Sequence, residues 1–204
     1  MPFITFEGAD GSGKTTHIQQ LATFFGQQGR PVLVTREPGG TKLGNEIRTM
    51  VLGENERNVS PMAEMLLIAA ARAQHVSEVL QPALAEGKLV LCDRYIDSSL
   101  VYQGVALGLG LDLVANINNM VVNGLWPDLT ILLDVPPEVA YERSILMRQQ
   151  ADRIESRGLV YYRQVCAGYR LIAQKWPERI KVVDANRPAA TVHGDILRVV
   201  SSIL

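Results

Sequence analysis

The stretch Gly8-Ala9-Asp10-Gly11-Ser12-Gly13-Lys14-Thr15 constrains this chain more than any other, because it matches the phosphate-binding loop pattern G-x-x-x-x-G-K-[ST] without a mismatch. That pattern works only between a strand and a helix, and both are at hand. Phe3-Ile4-Thr5-Phe6-Glu7 is β-branched and aromatic, and His17 to Phe25 has helical spacing. The glycines let successive backbone N–H groups turn inward around an anion, at the positive end of the helix dipole. Lys14 adds a mobile charge that reaches β and γ phosphates, and the Thr15 hydroxyl is placed to ligate Mg²⁺. Gly8 to Thr16 are therefore the candidate ATP-binding residues.

A chain of 204 residues, 47% hydrophobic and 20% charged, suits one globular domain over residues 1–204. Its formal charge of −1 gives no sign of the basic surface that a nucleic acid polymer needs, so the nucleotide partner is expected to be small. Cys92 and Cys166 lie far apart without metal-ligand spacing, which suits a reducing cytoplasm. The first residues enter a strand directly, with no sign of a secretory signal, and no apolar run approaches membrane-spanning length.

Taken in order, Val32 to Thr35 completes a first βαβ unit, and Arg36-Glu37-Pro38-Gly39-Gly40-Thr41 follows at the strand's carboxyl end, where open α/β sheets bind ligands. On spacing alone this is equally a charged loop with a Pro-Gly turn. Helical spacing covers Lys42 to Leu52, and Ser60-Pro61 opens a long helix to about Ala85, with Ser60 as N-cap. Arg72 interrupts its apolar part, either as a solvated helix residue or as one that faces a ligand.

Lys88 to Cys92 predicts the next strand. Asp93 at its end either pairs with Arg94 or holds Mg²⁺ beside the loop, while Arg94 has the fork geometry that grips phosphate. Ile96 to Gln103 predicts a short helical segment ended by Gly104, Leu111 to Asn123 a helix, and Leu129 to Asp134 a fourth strand. The helix opened by Pro136 and Pro137 is expected to carry Arg143, Arg148, Arg153 and Arg157, a run that is also consistent with a solvated basic face. Ile180 to Asp184 is the last strand, and Ala190 to Leu204 closes the chain as a helix. Strands that alternate with helices argue an α/β fold of the P-loop NTPase type, a five-stranded parallel sheet with helices on both faces.

Several segments together resemble bacterial thymidylate kinase, the family that converts dTMP to dTDP with ATP. They are GADGSGKTT, REPGGT at 36–41, SPMAE and ARAQH within 60–75, DRY at 93–95, SSLVYQG at 98–104, PDLTILLDV at 127–135 and DRIE at 152–155. The resemblance implies ATP and dTMP as substrates, Mg²⁺ as cofactor and a homodimer that shares the apolar Met62 to Val76 helix. It implies that Asp10 touches the deoxyribose hydroxyl, that Arg36, Glu37 and Pro38 line the monophosphate site, and that Arg94 holds the acceptor phosphate. Arg72 would bond the thymine carbonyl, Ser99 and Gln103 its other polar edges, and Tyr102 would stand against the sugar. Asp93 would orient Mg²⁺.

The phosphate loop carries no arginine, which in this family goes with a basic lid, here about residues 144–155, where Arg148 and Arg153 are the candidate catalytic cations alongside Lys14 and Arg94. No aromatic residue lies between Met62 and Gln74, where the family offers a ring to thymine, so Ile68 or Ala69 is expected to cover the base, unless a ring from Tyr161-Tyr162 does. Two other readings compete: a kinase of the same fold with another acceptor, and a nucleotide-binding module without catalysis.

Overall fold

The computed structural model describes residues 2–53, 59–146 and 158–204. Five strands, β1 (Phe3–Glu7), β2 (Val32–Arg36), β3 (Leu89–Asp93), β4 (Leu129–Asp134) and β5 (Ile180–Asp184), make one sheet in the order β2-β3-β1-β4-β5. Each neighbouring pair is parallel. Successive strand residues point to opposite faces, so the near-complete burial of β1, β3 and β4 means that helices cover both. The edge strands β2 and β5 are only partly covered. Phe6 stands opposite Asp93, which brings the carboxyl ends of β1 and β3 out side by side.

Helix α1 (Lys14–Gln27) begins at the lysine of the phosphate loop, three residues before the expected start. Helix α2 (Lys42–Leu52) is capped by Thr41, whose Oγ1 accepts the Gly44 N–H at 2.9 Å. The helix expected from Ser60 to Ala85 is divided into α3 (Pro61–His75), a π-helical turn (Val76–Leu80) and α4 (Gln81–Ala85). Pro82 explains the division, because it lacks an N–H and its ring would strike the Glu78 carbonyl in an unbroken α-helix. The widened turn absorbs that conflict, with the Gln81 N–H bonding back to the Val76 carbonyl.

A second π-helical segment follows the short α5 (Ile96–Ser99) and runs from Leu100 to Ala106, through the glycine that was expected to end it. Helix α6 (Leu111–Val122) stops at Asn123, which takes the left-handed conformation at φ 48°. Helix α7 (Pro137–Leu146) carries Arg143, while Arg148, Arg153 and Arg157 lie outside the described residues, as does most of the expected lid. Helix α8 (Gly158–Lys175) is not anticipated by the sequence reading at all, and α9 (Ala189–Ser201) packs beside α1.

One buried tie fixes α5 under the site. Asp97 is fully buried and paired with Arg179 at 2.6 Å, and both share Thr130 on β4. Stacked on Trp126, Arg179 anchors the turn from which Ser98 and Ser99 project.

Candidate active site

The phosphate loop joins β1 to α1 with Gly8, Gly11 and Gly13 at positive φ, conformations that side chains resist. Gly11 is also pinned by space: a Cβ there would lie 2.5 Å from the Ala140 carbonyl oxygen of α7. The loop thus sits directly against α7. Lys14 is 7% exposed, and its Nζ donates to the Gly8 and Ala9 carbonyls, each at 3.0 Å. Burial, then the nearby Arg94 guanidinium, draws its pKa below the usual lysine value. Ser12 Oγ is buried and has no hydrogen-bond partner among the described residues.

Thr15 Oγ1 donates to Asp93 Oδ2 at 2.9 Å, so a hydroxyl and a carboxylate stand together at the start of α1. This pair of hard oxygen donors fits a magnesium ion that keeps most of its shell for phosphate and water. Among the described residues no cluster of three His, Cys, Asp or Glu side chains would hold a metal unaided.

Two clefts open from this centre. One, the larger, is lined by Gly11, Gly13, Lys14, Thr15 and Thr16 of the loop and by Arg36 and Asp93 at the strand ends. The other, smaller one is lined by Pro38, Leu52, Ile68, Arg72, Ser98, Ser99, Tyr102 and Gln103. Asp10, Glu37, Arg48 and Arg94 line both. Gly8, Ala9 and Ser12 lie within the loop and line neither.

Arg94 occupies that shared wall at φ 70°, a left-handed conformation that turns the chain sharply after β3. Its Nη2 donates to Asp10 Oδ1 at 2.6 Å and its Nη1 to Ser98 Oγ and Tyr169 Oη, at 3.1 and 3.0 Å, while the guanidinium lies over the Tyr102 ring. Among the described residues this leaves Nε and one Nη2 hydrogen for a ligand. Behind it is a carboxylate the sequence reading does not use. Fully buried Glu7 accepts from the Tyr95 and Ser98 backbone N–H groups and from the Ser98 and Tyr169 hydroxyls. Burial and the neighbouring Asp97 carboxylate push Glu7 up to about 7, against the pull of Arg94.

Arg72 is 1% exposed and so is no solvated helix residue. Its Nε donates to Glu37 Oε2 at 2.6 Å, Nη1 to Ser99 Oγ at 2.9 Å and to Asn118 Oδ1, and Nη2 to the Tyr95 carbonyl at 2.8 Å. Glu37 is held on its other oxygen by His75 Nδ1 at 2.9 Å, and His75 Nε2 meets Thr35 Oγ1 at 2.7 Å. Glu37 therefore touches the clefts chiefly as the clamp on Arg72. Gln103 donates its Nε2 to Glu64 Oε1 at 2.9 Å. Of the two positions expected to cover a base, Ile68 lines the smaller cleft and Ala69 does not. Tyr161 packs edge-on against Tyr102, and Tyr162 against Tyr141, with neither lining that cleft.

Glu7, Glu64, His75, Asn118 and Tyr169 escape the sequence reading, as does Arg48, whose Nη1 donates to the Pro38 carbonyl. A signal existed for Glu7, which ends an apolar strand as Asp93 does. Arg48 stands on α2 just after the Arg36–Thr41 loop, a basic residue one helix away from a suspected anion site.

The family model for thymidylate kinase matches residues 6–196. A thymidylate kinase of Symbiobacterium thermophilum is 48% identical over 202 residues, covering 99% of this chain and 94% of its own. One from Exiguobacterium is 46% identical over 195 residues, covering 96% of this chain and 92% of its own. The crystal structure of thymidylate kinase from Ehrlichia chaffeensis superposes with a TM-score of 0.80 at 31% identity, covering 98% of each chain.

Proposed function

The chain belongs to the thymidylate kinase family and carries out ATP-dependent phosphorylation of dTMP to dTDP, and we propose that the two clefts divide this work, ATP at the phosphate loop and dTMP in the smaller one. The observation that carries this assignment is the wall of Asp10, Glu37, Arg48 and Arg94 common to both clefts. A γ-phosphate and an acceptor phosphate must meet, and these residues mark where.

The acceptor is a phosphate monoester with a second pKa of about 6, so at neutral pH it is mostly dianionic and needs no strong base. The residues' task is to bring two anions together. Lys14 would exchange the Gly8 and Ala9 carbonyls for ATP oxygens, and Arg94, with Arg48 on the same shared wall, would take the dTMP phosphate, while Arg36, which lines the larger cleft and not the smaller, would approach it from the ATP side. Thr15 and Asp93 would hold Mg²⁺, which when bound neutralises charge on the β and γ phosphates. Arg72, Ser99 and Gln103 would bond the thymine edge, Ile68 would cover its face, and Asp10 and Tyr102 would flank the deoxyribose. Arg148 and Arg153, outside the described residues, are the proposed lid cations within 144–155.

We also propose a cytoplasmic homodimer built on α3. The charged side chains of this helix, Glu64 and Arg72, are buried, whereas its outward positions Met62, Leu66 and Ala70 are apolar. A solvent-facing helix has the opposite arrangement. No helix among the described residues is long and apolar enough to cross a membrane. The site assignment is tested by ADP release with a panel of monophosphates on the wild-type protein and on variants of the smaller cleft: changes at Arg72 or Gln103 that left the KM for dTMP untouched would overturn it.

A further inference from the structure

Gln103 is an amide in a position where its direction matters. It is 2% exposed and lines the smaller cleft, and the one hydrogen bond of its side chain among the described residues runs from Nε2 to Glu64 Oε1 at 2.9 Å. Glu64 is fully buried and does not line that cleft. It is set in the first turn of α3, where Ser60 caps the helix and its carbonyl accepts the Glu64 N–H at 2.9 Å. A carboxylate only accepts hydrogen bonds, so the amide cannot rotate by half a turn without placing oxygen against oxygen. One amide hydrogen is therefore committed to Glu64, which fixes which end of the amide is nitrogen and which is oxygen, and the carbonyl oxygen is the acceptor Gln103 has for the cleft. On the same cleft Arg72 offers only donors, and Ser99 Oγ, which already accepts from Arg72, has its proton to give.

We propose that Glu64 is a specificity-determining residue that acts through Gln103: by fixing the amide it makes the cleft select pyrimidines with a protonated N3 beside a carbonyl oxygen, and reject the cytosine ring. Thymine and uracil present a donor at N3 and an acceptor at O4. Cytosine presents the reverse, an acceptor at N3 and an amino donor at C4, so it would meet acceptor with acceptor and donor with donor. A site that leaves buried polar groups unpaired discriminates strongly. The inference rests on the placement of dTMP in this cleft.

The test is Glu64→Gln in the full chain, with kcat/KM measured for dTMP, dUMP and dCMP. A glutamine at 64 can donate or accept, so the amide of Gln103 is released to turn. The dTMP to dCMP preference should fall by about tenfold or more, the scale of one hydrogen bond lost or gained, while the dTMP to dUMP ratio stays within twofold. Glu64→Met, which leaves no new polar group buried, should shift the same ratio, and Glu64→Asp should restore part of it. A wild-type protein without preference for dTMP over dCMP would sink the placement of the base itself. If that preference is present but unmoved in Glu64→Gln and Glu64→Met, or if all three substrates fall in parallel, Glu64 is structural and the inference fails while the placement stands. Loss of the cooperative melt in both variants overturns it in the same way.

Discussion

Arg94 concentrates the chemistry because several chain segments far apart in sequence converge on one guanidinium: Asp10 from the phosphate loop, Ser98 from α5, Tyr169 from α8 and the Tyr102 ring. Replacing it by alanine should raise the KM for dTMP by about 10- to 100-fold, the worth of a charge-assisted contact, and that for ATP far less. Initial rates with each substrate varied in turn read the split; equal effects would show that Arg94 serves both phosphates alike. Glu7 beneath it gives a stability prediction. Its pKa is raised to about 7, above the ordinary glutamate value of 4.5. The folded state therefore binds the proton more tightly than the unfolded state, and the stability this brings is present below about 4.5 and lost as pH rises through 7. Glu7→Gln removes the titration, so the Tm of the variant relative to wild type should climb between pH 5 and 8. A difference that stays flat over that range would mean that Glu7 titrates in its ordinary range. Lys14, Thr15, Asp93 and Arg94 were legible because each belongs to a short contiguous pattern. Glu7 and His75 were not, since their partners lie 88 to 162 and 38 to 40 residues away in the chain, and only the sheet brings them together.

Among the elements, the segment Leu100–Ala106 decides the shape of the smaller cleft, since it carries Tyr102 and Gln103. Its π-helical form was not legible, because a π-turn has no sequence spacing of its own and a glycine at 104 looks like a stop. Helix α8 supports it from behind. That helix did leave a trace, with Tyr161, Tyr162, Val165, Cys166, Tyr169, Ile172 and Ala173 all buried at helical intervals. The trace is weak because several of these are tyrosines, whose hydroxyls blur a hydrophobic stripe, and because a run of arginines precedes it. The contact point is Gly168, where an added Cβ would come within 3.0 Å of Val101 Cγ1 and 3.4 Å of Val105 Cβ. Gly168→Ala asks the neighbour to give by a few tenths of an ångström. Gly168→Val asks for more than a close-packed interface yields, and should destabilise by about 1–3 kcal/mol. It should also displace Tyr102 and Gln103, raising the KM for dTMP before that for ATP. Thermal melting and steady-state kinetics on the purified variant check both parts. Unchanged kinetics in a destabilised protein would separate α8 from the site.

At the scale of the whole molecule the sheet was the most legible feature, since buried parallel strands are continuous apolar runs and each of the five ends in a charged residue, a glutamate, an arginine or an aspartate. The outer surface is less easily read, because a sequence gives the period of a helix but not which arc of it meets the core. Helix α3 makes the point: its apolar residues cover more than one stripe, and only the structure separates Met65, Ile68, Ala69 and Ala71, which face in, from Met62 and Leu66, which are 37% and 51% exposed. The proposed dimer uses that outer arc, and Leu66→Glu tests it. In a monomer the new carboxylate would stand in water at little cost. Buried against a second copy of the same apolar face, it would carry an unpaired charge out of solvent, which a symmetric interface pays for twice. Light scattering at micromolar concentration should therefore give the wild-type chain twice its 22.4 kDa and the variant close to that single mass, both with cooperative melts. Because Ile68 and Arg72 project from the inner face of the same helix, release of its outer face should loosen the dTMP cleft first and raise the KM for dTMP, while the phosphate loop, held between β1 and α1, keeps its hold on ATP. A wild-type chain that scatters as a monomer, or a Leu66→Glu chain that stays dimeric, would remove α3 from the interface.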